Sequence, residues 1–300
     1  MIIYLYIQSK LKMEEIAMKP CVSSYSFGRY FEQLGAEGVI EKAKEFGLSA
    51  IEFTDGGWTD NLSLDTAKRV REKAEELGIE IAALCVGADF LTGDTAAMLE
   101  QLRRCVDFAA ALGAKAMRHD VAQQPRSRKY QIGYSDVLPT LASACREITK
   151  YAEQLGVRTM TENHGYFSQD ANRVESLINT VGHPNFGALI DVGNFMCVDE
   201  DPVVSVGIMA PYAFHVHAKD FHFKPGMFDY PGGGWFITRS GNYLRGAIIG
   251  HGDAKVAQSI GILKRAGYDG YVSIEFEGIE DNLLGIRLGL ENLKRYIELK

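Results

Sequence analysis

The chain has 300 residues, 46% hydrophobic and 24% charged, which is enough for a large core, and no Pro/Ser-rich linker or composition break divides it. One domain is the economical reading. The formal charge is −7, with no basic run longer than two residues, so the chain offers little to a phosphate backbone and small solutes fit better as partners than nucleic acid.

Met1 to Ile7 is apolar, but no basic region precedes it, charged residues from Lys10 to Glu15 follow it, and it is too short to span a membrane. We read residues 1–18 as a poorly ordered extension and residues 19–300 as the folded unit. Five cysteines (Cys21, Cys85, Cys105, Cys145, Cys197) lack CxxC spacing, and the odd count argues against a disulfide framework and for a cytoplasmic protein.

From Lys19 onward, short β-type runs alternate with amphipathic helical stretches at a period of roughly 30 residues, as βα units require. Pro20 to Phe27 predicts strand one and Ala36 to Phe46 a helix closed by Gly47; Ser49 to Phe53 is strand two. A helix from Leu64 to Leu77, capped by Ser63 or Asp65 and stopped by Gly78, leads to strand three at Ile79 to Val86. The helix Thr95 to Leu112 has Asp94 as N-cap and Gly113 as stop. Strand four, Ala114 to Arg118, runs into Arg118-His119-Asp120, and a long helix from Ser135 or Asp136 reaches Leu155. Val157 to Glu162 is strand five, Ala171 to Val181 a helix, Phe186 to Asp191 strand six, and Asp201-Pro202 opens a short helix. Ala213 to Lys219 is strand seven. A long irregular insertion over about 221–250 follows, then a helix from Ala254 to Ala266, strand eight at Tyr271 to Glu275, and a closing helix from Leu284 to Leu299.

Eight such units match a single α/β domain, a (β/α)₈ TIM barrel. No G-x-G-x-x-G follows the first strand to support a doubly wound sheet. In barrels, chemistry sits at the C-terminal ends of the strands. Four metal-competent side chains end four strands: Glu162, Asp191, His217 and Glu275. Buried carboxylates are costly unless paired or bound to a cation. Three carboxylates and one imidazole suit Mn²⁺, Mg²⁺, Co²⁺ or Zn²⁺. For each carboxylate alone, an ion pair or plain exposure is as good an account; the four together favour a shared ion. In His215-Val216-His217 we expect one ring to face the interior and the other to pack outward, with His217 at the mouth and His215 structural.

The set Glu162, Asp191, His217-Ala218-Lys219-Asp220 and Glu275, with Gly250-His251-Gly252-Asp253 before the last strand–helix unit, resembles the xylose-isomerase-like TIM barrels, the sugar phosphate isomerases and epimerases. The likeness covers roughly Pro20 to Tyr296. It implies one divalent cation, Mn²⁺ first, held by Glu162, Asp191, His217 and Glu275. In the epimerase and isomerase branches it implies that Glu162 and Glu275 also move protons through an enediolate. A lyase or dehydratase acting on an oxidised sugar, a polyol or a 3-oxo-glycoside would need the same groups, and a non-catalytic sugar-binding barrel is the reading from another class. One departure stands out. Several relatives carry histidine three residues after the aspartate, whereas Asn194 stands here, a poor ligand for a second metal, which weakens a nuclease reading.

Further substrate-binding candidates are Asn194, Lys219, Asp220, Arg118, His119, His164 and His251, and Glu52 is a group that could meet a hydroxyl or phosphate. His183 reads as structural. Within the insertion, Trp235 and Phe236 could stack on a sugar face and Arg239 could meet an anionic group, making a lid or wall; an interface or decorative hairpin is the plainer account. A homo-oligomer is compatible with the sequence.

Overall fold

The computed structural model describes residues 18–123 and 133–299; the expected extension, apart from Met18, lies outside the described residues. Eight parallel strands close into a barrel: β1 (Lys19–Ser23), β2 (Ala50–Thr54), β3 (Glu80–Val86), β4 (Ala116–His119), β5 (Arg158–Glu162), β6 (Phe186–Asp191), β7 (Ala213–Ala218) and, after three further strands, β11 (Tyr271–Ile274). β11 pairs with both β1 and β7 and completes the ring. Helices α1 (Arg29–Glu45), α2 (Leu64–Leu77), α3 (Thr95–Leu112), α4 (Tyr134–Gln154), α5 (Ala171–Val181), α6 (Asn194–Cys197), α7 (Pro202–Met209), α8 (Val256–Arg265) and α9 (Asn282–Glu298) lie in the connections between barrel strands and after the last of them. This is a (β/α)₈ barrel, as the alternation of the sequence requires.

Local chemistry sets the boundaries. Ser63 accepts from the Thr66 N–H and Asp94 from the Ala96 and Ala97 N–H groups, satisfying first-turn donors of α2 and α3. Both helices end on a left-handed glycine, Gly78 and Gly113. The first strand stops at Ser23 rather than Phe27, because Ser24–Phe27 winds into a 3₁₀ turn. The following helix starts at Arg29, seven residues early, and breaks at Gly35, whose φ of 65° and ψ of −178° no helix contains.

The main core lies between the barrel and its helices, with Phe27, Phe53, Phe108 and Phe195 fully buried. Inside the barrel the side chains are smaller: Ala83, Cys85 and Ala116 pack with Met160 and Leu189, and Cys21 with Ala50 and Ala82. That narrow filling leaves space for a polar layer above it.

The insertion is not irregular. β8 (Asp220–Lys224), β9 (Phe236–Ile237) and β10 (Tyr243–Ala247) form an antiparallel sheet in the order β8-β10-β9. The alternation His222, Lys224 against Phe221, Phe223 was a readable strand signal, broken up by the turn formers that follow.

Candidate metal centre and active site

Glu162, Asp191, His217 and Glu275 meet at the C-terminal rim, all buried, each offering one donor atom within 4.8 Å of the others. Register explains the convergence: Asp191 pairs with His217 and Glu162 with Leu189, while Glu275 continues β11 through its N–H bond to the Ala218 carbonyl. His217 Nδ1 lies 3.1 Å from Glu275, 3.6 Å from Asp191 and 3.8 Å from Glu162. Donors around an ion with bonds near 2.1 Å lie about 3 to 4 Å apart, so this spacing fits a hard divalent cation. Asp191 Oδ2 is buried and makes no well-aligned hydrogen bond; the Lys219 ammonium lies 3.1 Å from it, so a bound cation would share this oxygen with the lysine.

Each ligand candidate is oriented by a neighbour. Glu162 receives Arg118, whose Nε sits 2.6 Å from Oε2, and the Asn194 amide at 2.9 Å from Oε1. Lys219 lies 2.7 Å from Glu275, 3.1 Å from Asp191 and 3.2 Å from the Asn194 oxygen. The Asp191 main chain is clamped by a reciprocal pair of 2.8 Å bonds with the Asn163 amide. Burial, helped by Glu275 and Glu162 and opposed by Lys219, pushes the Asp191 carboxyl up to about 6. Burial would also raise Glu275, but Lys219 and His217 outweigh it and hold that carboxyl well below the usual range.

Below the rim lies a second polar layer. Glu52, fully buried, holds His215 Nε2 at 2.6 Å and His217 Nε2 at 2.8 Å through a single oxygen, Oε2. A register shift between Ile51 and Glu52 accompanies this placement. Burial alone would raise the Glu52 carboxyl, yet the two imidazoles pull it below its ordinary value. By accepting from Nε2–H, Glu52 turns the Nδ1 atom of His217 toward the carboxylates, the carboxylate–histidine–metal arrangement that fixes a ligating imidazole. Glu52 is therefore sealed from substrate and meets no hydroxyl or phosphate. Both histidines face inward, contrary to the expectation of opposite sides, because residues i and i+2 of a strand share a face. His215 Nε2 also lies 2.9 Å from the Ser273 hydroxyl, and the residue joins neither group of candidate metal ligands among the described residues.

The other candidates divide. Arg118, Asn194 and Lys219 join the cluster directly, and His164 borders it through Asp120 at 3.1 Å. His119 does not: its ring is fully buried between Phe90 and Phe186, on the outer side of β4, where alternation from Arg118 must send it. Asp220 accepts the N–H groups of Phe221, Gly250, Gly252 and Ala254, which commits both oxygens to the backbone. His251 in that loop is exposed. Arg239 pairs with Asp170 and the Tyr166 carbonyl, so it ties the insertion to the barrel instead of meeting an anion. Trp235 lies 5.4 Å from both Lys224 and Arg245 on the added sheet, and Phe236 packs against buried Phe221. Both rings thus find partners within the added sheet. Asp120 and Glu277 were overlooked, although each stands two residues beyond an inward-facing group, Arg118 and Glu275.

This fold and rim define a barrel of one family. The model of the xylose isomerase-like TIM barrel matches residues 40–296, and the chain belongs to that family. The 3-oxo-isoapionate decarboxylase of Pectobacterium atrosepticum is 23% identical over 67% of this chain and 68% of its own length. Among solved structures, the IOLI protein with a bound zinc atom superposes with a TM-score of 0.72 at 18% identity, covering 93% of this chain and 98% of that one. D-psicose 3-epimerase crystallised with D-fructose gives 0.71 at 15% identity over 93% and 99%. No described helix is long and apolar enough to cross a membrane.

Proposed function

We propose that the protein is a divalent-cation-dependent sugar isomerase or epimerase that moves a proton next to a carbonyl through an enediolate. The observation that carries this reading is the pair of buried glutamates, Glu162 and Glu275, from strands flanking β6 and β7, focused on one cluster with Asp191 and His217. Those four residues would hold the cation, with Mn²⁺ the first candidate and Mg²⁺, Co²⁺ or Zn²⁺ suited to the same donors. When bound, the cation supplies Lewis-acid polarisation of the carbonyl. Glu162 takes the proton from one face of the substrate, oriented for this by Arg118 and Asn194. Glu275 returns a proton from the other face. Lys219, whose positive charge lies within 3.1 Å of both Asp191 and Glu275, stabilises negative charge as it grows on the substrate oxygen. Arg118 and His164 bracket Asp120 at the edge of the site and meet the remaining hydroxyls.

Incubation with a panel of ketoses and Mn²⁺ in D₂O tests the reading: deuterium should enter the carbon next to the carbonyl, and Glu162→Gln should abolish it. Absence of exchange with every ketose, in protein shown to hold the cation, sinks it. A lyase or dehydratase is the second reading, favoured by the similarity to the 3-oxo-isoapionate decarboxylase. There the enediolate expels a substituent instead of being reprotonated, and a 3-oxo-glycoside would release its aglycone without interconversion.

A further inference from the structure

Beside the cluster, the C-terminal ends of β1, β2 and β11 surround a cavity of about 750 Å³. Ligand sites typically occupy about 300–1,000 Å³. The cavity is continuous with the rim: Phe276 and Glu277 in its wall follow Glu275 directly, and Lys219 spans the two, 2.7 Å from Glu275 and 3.7 Å from Glu277.

We propose that this cavity is a second subsite for a non-reacting ring with an apolar face. The substrate is then an uncharged, ring-bearing sugar, a disaccharide or a glycoside, and not a phosphorylated monosaccharide. The inference rests on the cluster being the reacting centre, as proposed above, and adds the class of substrate.

Two features carry it. Aromatic side chains line the cavity: Tyr25, Phe31, Trp58 and Phe276. Trp58 is fixed before any ligand arrives, its indole N–H donating to the Thr54 carbonyl at 2.8 Å and its ring packed on Phe53 at 4.8 Å and Phe108 at 5.6 Å. A preorganised platform loses little freedom when a ring stacks on it. Tyr25, by contrast, keeps 48% of its surface open, apolar area that a second ring would cover. The charge pattern then sets the class. Glu32, Asp55 and Glu277 are the charged groups among the described lining residues, with no lysine, arginine or histidine. A phosphate placed there would meet three carboxylates, and the nearest ammonium, Lys219, is already engaged by Glu275, Asp191 and Glu277, whereas hydroxyls of a neutral ring would find acceptors.

Isothermal titration calorimetry of the Mn²⁺-loaded protein with glucose, cellobiose, phenyl β-glucoside and glucose 6-phosphate tests this. Either ring-bearing ligand should bind at least tenfold more tightly than glucose, and glucose 6-phosphate more weakly than glucose. Preference for cellobiose marks a sugar as the natural second ring; preference for the phenyl glycoside marks an aromatic aglycone. Tyr25→Ala, at an open position, should erase the preference and leave glucose affinity unchanged; Phe31→Ala repeats the measurement should the first variant misfold. Equal binding of all neutral ligands, no binding of either ring-bearing ligand, tighter binding of the phosphate, or a preference that survives both variants overturns the proposal. These affinities need no turnover, so a failure of deuterium exchange would remove the proposed reaction and leave this test intact.

Discussion

The rim and the 220–254 excursion hold their shapes by opposite means. At the rim every candidate ligand is buried and engaged from at least two directions: Glu162 by Arg118 and Asn194, His217 by Glu52 below and the carboxylates above, Glu275 by His217 and Lys219. In the excursion Met227 is 85% exposed, and Phe228, Tyr230 and Ile237 also face solvent. Its order comes from a few tethers at its base, where Asp199 receives Thr238, Ser240 and Asn242 and Arg239 reaches Asp170. Redundant support belongs where sub-ångström placement matters; an outlying sheet needs only to be moored.

Five measurements would sharpen or break that contrast. The largest effect should follow Glu162→Gln or Glu275→Gln, each lowering proton exchange by about 100- to 10,000-fold with the fold intact by circular dichroism. A smaller loss would return these glutamates to a merely structural role. Glu52→Gln, which never touches substrate, should weaken cation affinity by about 10- to 100-fold in a chelator competition, since an amide holds the His217 ring less firmly. Unchanged affinity would show that the lower layer does not govern the upper one.

Asp220→Ala should leave the chemistry in place while costing about 2–4 kcal/mol in denaturant unfolding, because several buried N–H groups lose their acceptor. The smallest effect belongs to the exposed tethers: Arg239→Ala should cost no more than about 1 kcal/mol and leave cation affinity unaltered. Acid should act on the same mooring. Partial burial raises Asp199, but its bonds from Thr238, Asn242 and Ser240 outweigh this and depress the carboxyl. Its contribution is therefore present above the ordinary aspartate range and is lost as pH falls through the depressed value. The difference in melting temperature between wild type and Asp199→Asn should shrink on acidification toward pH 3; a constant difference would place the stabilisation elsewhere.

Much of the barrel was legible because its period is written in hydrophobicity and glycine stops, and the rim because strand ends project into one space. What stayed hidden depended on the partner a polar group finds. Asp220 reads like a ligand until its four backbone donors are seen, and Arg239 like an anion receptor until Asp170 is placed beside it. Such pairings join residues far apart in the chain. His119 and Glu277 are a different matter: alternation from Arg118 and from Glu275 carried the information, and a stricter use of period two would have placed both. Glu52 needed the barrel to close, since its histidines come 163 and 165 positions later and from strands that are not its neighbours.

The Asp220 carboxylate fastens both the departure and the return of the excursion, binding its own strand at Phe221 and the loop from Gly250 to Ala254. An excursion whose two feet are nailed to the same spot is built like a cassette, closed at its base independently of the rim beside it. Shortening or replacing the segment between those two feet should therefore leave the geometry of the rim unchanged.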